Sequence, residues 1–291
     1  MVAVATVYRG VPMNIQKVSY KDPNSHKVFA QSLRETGFGV LTDHPISHDL
    51  IFSVYNDWEK FFASEVKHKY TYDPKDQSGY FPFRSENAKG YSQKDLKEFF
   101  HLFSWTKLPE SLSSRTWDLF KEMFQLSGTL LTWIEEQTPT DIRNRFSMPL
   151  PQMIQDSRET LLRILHYPPL TGAVEDGAIR AAAHEDINLI TLLPAATAPG
   201  LQVKGVDGRW VNVECNPGDI VINVGDMLQE ASQKYYISTT HQVVNPSGPE
   251  AQKPRYSMPL FLHARRDVAL SDKYTAGEYL DERLREIGLK K

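Results

Sequence analysis

The spacing of apolar and polar positions divides the chain into a helical first half and a β-rich second half. Residues 1–22 read as a strand-like arm, its β-run at 14–20, ending at Asp22-Pro23, after which Asn24 or Ser25 can cap a helix through Glu35, closed by Gly37. Residues 38–42 form a short β-run, and Ser47 opens a second helix ending near Phe62. Residues 112–137 carry Trp117, Phe120, Phe124, Leu131 and Ile134 at mostly three- and four-residue spacings, the stripe of a long core-facing helix that Pro139 closes. Between these helices, residues 72–95 are rich in Pro, Gly, Ser and charge and read as a long loop with little regular structure. Its aromatics, Tyr80, Phe81, Phe83 and Tyr91, either anchor the loop to the core or line a substrate mouth.

From Glu159 onward the period changes. Residues 160–167 make a β-run stopped by Pro168-Pro169, and the apolar run 183–193 follows. Further short runs occupy 201–203, 210–213, 220–224, 236–244 and 256–262, with Asp207-Gly208 and Pro217-Gly218-Asp219 as turns between them. Many short strands with turn punctuation indicate a sandwich or barrel rather than a βαβ sheet. An amphipathic helix over 277–289 closes the chain. The expected organisation is one mainly β domain with α: a mostly helical part (1–157) on a β-barrel core (158–265), then the C-terminal helix (266–291).

Composition narrows the class of protein. At 291 residues, 41% hydrophobic and 24% charged, the chain has ample material for a core and ordinary globular chemistry. A net charge of -3 gives no electrostatic case for nucleic acid or an anionic membrane. The lone cysteine, Cys215, cannot form an internal disulfide and fits a reducing compartment. No apolar run approaches the ~20 residues that cross a bilayer, and residues 1–13 lack the basic region of a secretory signal. A soluble cytoplasmic protein is expected.

Candidate chemistry begins at Ala183-His184-Glu185-Asp186-Ile187-Asn188-Leu189-Ile190-Thr191-Leu192-Leu193. On a strand, His184 and Asp186 point to one face and Glu185 to the other, which supplies two thirds of a two-His-one-carboxylate facial metal site. The spacing is cheap, since 9 His and 36 acidic residues in 291 give about one such match by chance. The plainer alternative is a His and an Asp bonded to each other and to local backbone. His241 lies 55 residues after Asp186, a separation that in a jelly-roll barrel can return the chain to the starting strand; alone, it reads equally as a half-buried strand histidine. Arg255 and Ser257 again share a strand face. An inward guanidinium needs an anion, which is either a ligand carboxylate gripped by two prongs or an acidic side chain elsewhere in the fold.

Together, His184-x-Asp186, His241 and Arg255-x-Ser257 resemble the iron(II)/2-oxoglutarate dioxygenases, specifically the isopenicillin N synthase-like branch. The resemblance covers nearly the whole chain. Gly37-Phe38-Gly39-Val40-Leu41-Thr42-Asp43-His44-Pro45-Ile46 is similar to the branch's early glycine-phenylalanine strand and turn. Asp95-Leu96-Lys97-Glu98-Phe99-Phe100 is similar to its acidic-basic-Glu-aromatic segment, and the stretch from Asn216-Pro217-Gly218-Asp219 to Met227-Leu228-Gln229 is close to a branch signature. The resemblance implies a distorted jelly roll (a double-stranded β-helix, cupin-like) flanked by helices. It implies His184, Asp186 and His241 as iron ligands and Arg255 and Ser257 as the clamp on the distal carboxylate of 2-oxoglutarate. Arg163-Ile164-Leu165-His166-Tyr167-Pro168 aligns with the family's Arg-x-Asn-x-Tyr-Pro strand, which makes Tyr167 a further cosubstrate contact. Leu165 replaces the usual asparagine, a departure that bears on cosubstrate seating and not on the iron site; His166 is assigned to packing or surface.

The implied activity is oxidative decarboxylation of 2-oxoglutarate, to succinate and CO2, coupled to C–H oxidation of a small molecule, hydroxylation by default. Fe(II), 2-oxoglutarate and O2 are the implied cofactors, with ascorbate as a candidate reductant. Two alternatives remain: an oxidase of the same fold that does not consume 2-oxoglutarate, as isopenicillin N synthase and aminocyclopropane-carboxylate oxidase do not, and a non-oxygenase metal-binding jelly roll or zinc hydrolase. By the family pattern, the segment around 77–104 and the residues after Leu262 border the pocket, where Arg84, Arg265 or Arg266 either meets an anionic substrate or is a solvated surface arginine.

Overall fold

The computed structural model describes residues 13–75, 77–86, 93–171, 175 and 177–286; Tyr91 and the tail beyond Glu286 lie outside them. Three amphipathic helices carry most of the first half: α1 (Ser25–Thr36), α2 (His48–Ala63) and α3 (Arg115–Glu136). α1 ends where Gly37 adopts φ 75° and donates its N–H to the Leu33 carbonyl. Only glycine fits there, because an added Cβ would lie 2.2 Å from Thr239 Oγ1 and 2.7 Å from the Ile237 carbonyl. α3 buries Phe120, Leu131 and Ile134 of the expected stripe together with Leu119, Met123, Leu126 and Leu130, while Trp117 and Phe124 are only half-buried at its edge. Two single-turn helices, α4 (Thr140–Arg143) and α5 (Leu150–Met153), follow Pro139 and Pro149; the sequence reading did not find them. Later come α6 (Asp226–Ala231), also unanticipated, and the C-terminal α7 (Ala276–Glu286).

The strands are β1 (Lys17–Ser19), β2 (Phe38–Thr42), β3 (Gly79–Phe81), β4 (Glu98–Phe103), β5 (Leu161–Tyr167), β6 (Ala181–His184) and β7 (Ile190–Pro194). They continue with β8 (Leu201–Lys204), β9 (Trp210–Asn212), β10 (Ile220–Val224), β11 (His241–Val243), β12 (Arg255–Ser257) and β13 (Leu260–Leu262). A large sheet runs β1-β2-β10-β7-β13-β5-β4-β3, with β12 also on β5, and a small sheet runs β6-β11-β8-β9. Side chains of the large sheet alternate between two cores. Leu162, Ile164, Leu192, Ile220, Ile222, Leu260 and Leu262 pack outward on Phe29, Leu33, Trp58, Leu130 and Ile134 of the helices. Inward, Phe38, Val40 and Val221 meet Val203 of β8, while Leu165, Tyr167 and Phe99 meet Ala181 of β6 and Val243 of β11. Two facing sheets, antiparallel except for the parallel edge pair β1–β2, with helices outside the larger one are the expected jelly roll.

Several boundaries differ from the sequence reading. The 72–95 stretch is not all loop, because β3 pairs with β4; Tyr80 and Phe81 are buried, whereas Phe83 is 44% exposed. β4 went unseen because all six of its residues are buried, leaving no alternation to read. The run 236–244 is strand only at 241–243, and the run from 256 to 262 splits into β12 and β13 around Met258-Pro259. Residues 183–193 are not one strand. β6 ends at His184 in the small sheet, and β7 begins at Ile190 in the large one.

Candidate active site

That crossing between sheets places the candidate ligands. His184 ends β6, and His241 opens β11 directly opposite it in the antiparallel register. Asp186 is therefore not on a strand face with His184, as the two-residue spacing suggested; it sits in the crossover. Backbone bonds from Asp226 N–H to the Asp186 carbonyl (2.7 Å) and from Met227 N–H to the Ile187 carbonyl (3.1 Å) hold it there. The ligand atoms still converge. His184 Nε2 lies 3.8 Å and His241 Nε2 3.7 Å from Asp186 Oδ1, and one donor atom from each residue falls within 4.8 Å of the others.

Every other polar atom of the three side chains is occupied. His184 Nδ1 lies 2.7 Å from the Ala182 carbonyl and His241 Nδ1 3.1 Å from the Thr239 carbonyl. A carbonyl only accepts, so each Nδ1 must carry a proton, and each Nε2 is the nitrogen turned toward Asp186 Oδ1. Asp186 Oδ2 accepts from Thr191 Oγ1 (2.6 Å) and Asn223 Nδ2 (2.7 Å), which leaves Oδ1 aimed at the imidazoles. Burial, and next the neighbouring His241, push the His184 imidazole down to about 4, so it is neutral near pH 7. Burial alone would raise the Asp186 carboxyl, but the two imidazoles and the Thr191 and Asn223 bonds outweigh it and hold the group below its usual range. Two imidazole nitrogens and one carboxylate oxygen on a common face fit an iron(II) facial site. Glu185 is exposed and accepts from Thr240 Oγ1, facing away from the centre.

Arg255, Ser257 and Tyr167 come together on the large sheet's inner face, where Arg255 pairs with Tyr167 and Ser257 with Leu165 across β12 and β5. The Arg255 guanidinium lies 5.1 Å from the Tyr167 ring centroid, is buried, and has no acidic partner among the described residues. Its Nε donates to the Ala198 carbonyl (2.9 Å), while Nη1 has no partner. A cavity of about 320 Å³ opens beside it, lined among others by Leu193, Ala195, Thr197 and Val221. Leu193 follows Thr191 by two residues and Val221 precedes Asn223 by two, so the cavity shares its wall with the strands that hold Asp186. A buried cation with an orphaned donor beside a cavity fits a ligand carboxylate, not an internal ion pair.

The remaining candidates lie elsewhere. Arg84 pairs with Glu175, Arg265 with Asp267, and Arg266 with Glu159 and Asp281, so all three are tied to acids. His166 stacks on Tyr256 and meets Glu98 at 2.7 Å, in a packing role. The sequence reading missed Thr191, Asn223 and the buried Arg180. It also missed an inner ion network in which Lys97 Nζ lies 2.8 Å from both Asp95 and Glu86, and Arg163 contacts Glu86 (3.2 Å) and His101 (2.8 Å). Asp95 in turn accepts from the Ala182 N–H, whose own carbonyl orients His184. The available signal was parity on β5, where Arg163 shares a face with Tyr167; Arg180 had no such signal, because the pairing of β6 is irregular between Ala181 and His184.

Comparison with known proteins agrees with this geometry. The model of the 2OG-Fe(II) oxygenase superfamily matches residues 158–264, and the model described as non-haem dioxygenase in morphine synthesis N-terminal matches residues 15–121. The chain is similar to the solved structure of a candidate oxygenase from Shewanella oneidensis, with 50% identity, 94% of this chain and 99% of that one covered, and a TM-score of 0.86. A candidate 2OG-Fe(II) oxygenase family protein from Caulobacter crescentus is 32% identical, with 94% and 99% covered and a TM-score of 0.78. The 2-oxoglutarate-dependent dioxygenase citB of Monascus ruber is 27% identical over 299 residues, covering 90% of this chain and 87% of that protein.

Proposed function

The chain belongs to the 2OG-Fe(II) oxygenase superfamily and is a 2-oxoglutarate-dependent dioxygenase; from that premise we propose that His184, Asp186 and His241 hold the Fe(II) while Arg255, Ser257 and Tyr167 seat 2-oxoglutarate. The observation that carries the assignment is the division of labour within each ligand: one donor atom faces the common point, and the other is bonded to the protein. When bound, the iron supplies the chemistry that couples O2 and the oxidative decarboxylation of 2-oxoglutarate to oxidation of a C–H bond. The protein's residues orient and insulate. With all three ligands on one face, an iron held there would have room on its other side for the 2-oxo acid and O2. Arg255 neutralises the cosubstrate's distal carboxylate, and the hydroxyls of Ser257 and Tyr167 add hydrogen bonds to it. The apolar lining, with Phe38 edge-on to His241 at 5.6 Å, limits water around the ligands.

The finer assignment is a small-molecule hydroxylase of the isopenicillin N synthase-like branch, supported by His184-Glu185-Asp186 and the Asn216-to-Gln229 stretch. Treating the chain as one domain is supported by the outer core, which runs without interruption from the first helices into the sheet. The test is stoichiometry across a panel of small molecules. With a true substrate, one succinate should form per O2 consumed. O2 consumption without succinate would instead mark an oxidase. No consumption with any 2-oxo acid, together with tight zinc binding, would remove the oxygenase reading.

A further inference from the structure

Arg180 stands just before β6, next to Ala181 of the inner core, and is 1% exposed. Its guanidinium lies 5.9 Å from the Tyr167 ring centroid, against the same phenol that Arg255 approaches at 5.1 Å. Its Nη2 donates to the Lys253 carbonyl (3.2 Å), but its Nε has no partner, and no acidic side chain among the described residues pairs with it. The fold thus buries two guanidiniums around one tyrosine ring with an unused N–H on each. Burial, and next the charge of Arg255, hold the Arg180 guanidinium below its usual range. Two unpaired cations in a nearly dry interior are costly unless a ligand anion completes the set. By contrast, the buried Lys97 and the half-buried Arg163 have Glu86 and Asp95 beside them and need none.

We propose that Arg180 is a second carboxylate-binding arginine that shares the distal carboxylate of 2-oxoglutarate with Arg255, so that it sets the preference for a dicarboxylic cosubstrate. The inference rests on the assignment of Arg255 to that carboxylate. A carboxylate has about four lone-pair positions, so two forks can serve it from different sides. The test titrates the iron-loaded protein, without O2, with 2-oxoglutarate and with 2-oxopentanoate, in which a methyl group replaces the distal carboxylate. Calorimetry and the charge-transfer absorbance of the chelate read binding. Arg180→Gln should weaken 2-oxoglutarate about ten- to a hundredfold, the loss of hydrogen bonding to a charged group, and leave 2-oxopentanoate within about twofold of wild type. Arg180→Lys, which keeps the charge without the fork, should discriminate to an intermediate degree. It decides the matter if Arg180→Gln fails to fold: wild-type discrimination by Arg180→Lys would then overturn the proposal. Unchanged 2-oxoglutarate affinity in Arg180→Gln, or equal losses for both acids, also overturns it. Arg255→Gln separates the two levels. If Arg255→Gln collapses discrimination and Arg180→Gln does not, only the second arginine is wrong; if Arg255→Gln has no effect, the cosubstrate assignment itself falls.

Discussion

The bonds to Asp186 Oδ2 give the sharpest consequence of the site's construction. Asn223 Nδ2 (2.7 Å) and Thr191 Oγ1 (2.6 Å) both donate to that oxygen, and Asn188 Nδ2 donates to Thr191 Oγ1 (3.0 Å), which fixes the direction of the hydroxyl proton. Asp186 is 6% exposed, so water cannot replace a lost donor. A hydrogen bond to a buried charge is worth about 1.5–3 kcal/mol, and removing an outer-shell partner costs about 10- to 100-fold in metal affinity. Asn223→Leu should therefore weaken iron(II) binding by about tenfold, because one of the two bonds that hold Oδ1 toward the imidazoles is lost. Either donor alone still anchors Oδ2, so the Thr191→Val, Asn223→Leu double variant should lose more than the two single effects combined. The assay is anaerobic competition with a chromogenic iron(II) chelator, run beside thermal unfolding of the metal-free protein. The acid limb supplies a check of sign. The folded carboxyl is held below its unfolded value, so its contribution to stability is present above that value, near 3.9, and is lost as pH falls through the folded pKa. Removing the donors raises the folded pKa and moves acid unfolding to higher pH. Iron affinity within twofold of wild type in the double variant would refute the orienting role.

Other outcomes follow from the same structure. Arg255→Ala should raise the 2-oxoglutarate KM about tenfold or more, the loss of a charge-assisted pair, while iron stoichiometry stays unchanged; an unchanged KM would return Arg255 to a structural role. Glu86→Gln takes a half-buried carboxylate from the buried Lys97 and from Arg163 and should destabilise the fold by about 2 kcal/mol, measured by denaturant unfolding at neutral pH. Because Arg163 and Lys97 overcome the burial penalty and hold Glu86 well below the carboxylate range, that difference should shrink as pH falls below about 4, where the wild-type advantage titrates away. Gly37→Ala should cost about 1–3 kcal/mol from the positive φ and the clash with Thr239. Since the Thr239 carbonyl orients His241, the variant should also weaken iron binding; an unaltered melting temperature would show that the turn can relax.

Much of this site was legible because strand parity survives local error. Arg255 and Ser257 sit two apart on β12, and both face the interior as the alternation requires. His241 returns beside His184, as a jelly roll permits. The same rule failed for His184 and Asp186: the chain leaves one sheet between them, and tertiary backbone bonds from α6 set the aspartate's direction. No periodicity encodes that, and α6, only six residues long, gave little to read. The helices followed from their stripes and from Gly37. β4, buried on both faces, offered no alternation, although its inner face carries Phe99 and His101. Arg180 sits ahead of three alanines, where a lone charge reads as surface; only the packing around Tyr167 shows it to be interior.

The central claim is that His184, Asp186 and His241 hold one iron on which 2-oxoglutarate chelates. Its most direct measurement is an anaerobic iron(II) titration at saturating 2-oxoglutarate, following the charge-transfer absorbance of the chelate in wild type and in Asp186→Ala. The account requires saturation at one iron per chain in wild type and no absorbance in Asp186→Ala, with the variant's far-UV circular dichroism unchanged. Equal absorbance in the two proteins would contradict it and assign the carboxylate ligand to another residue.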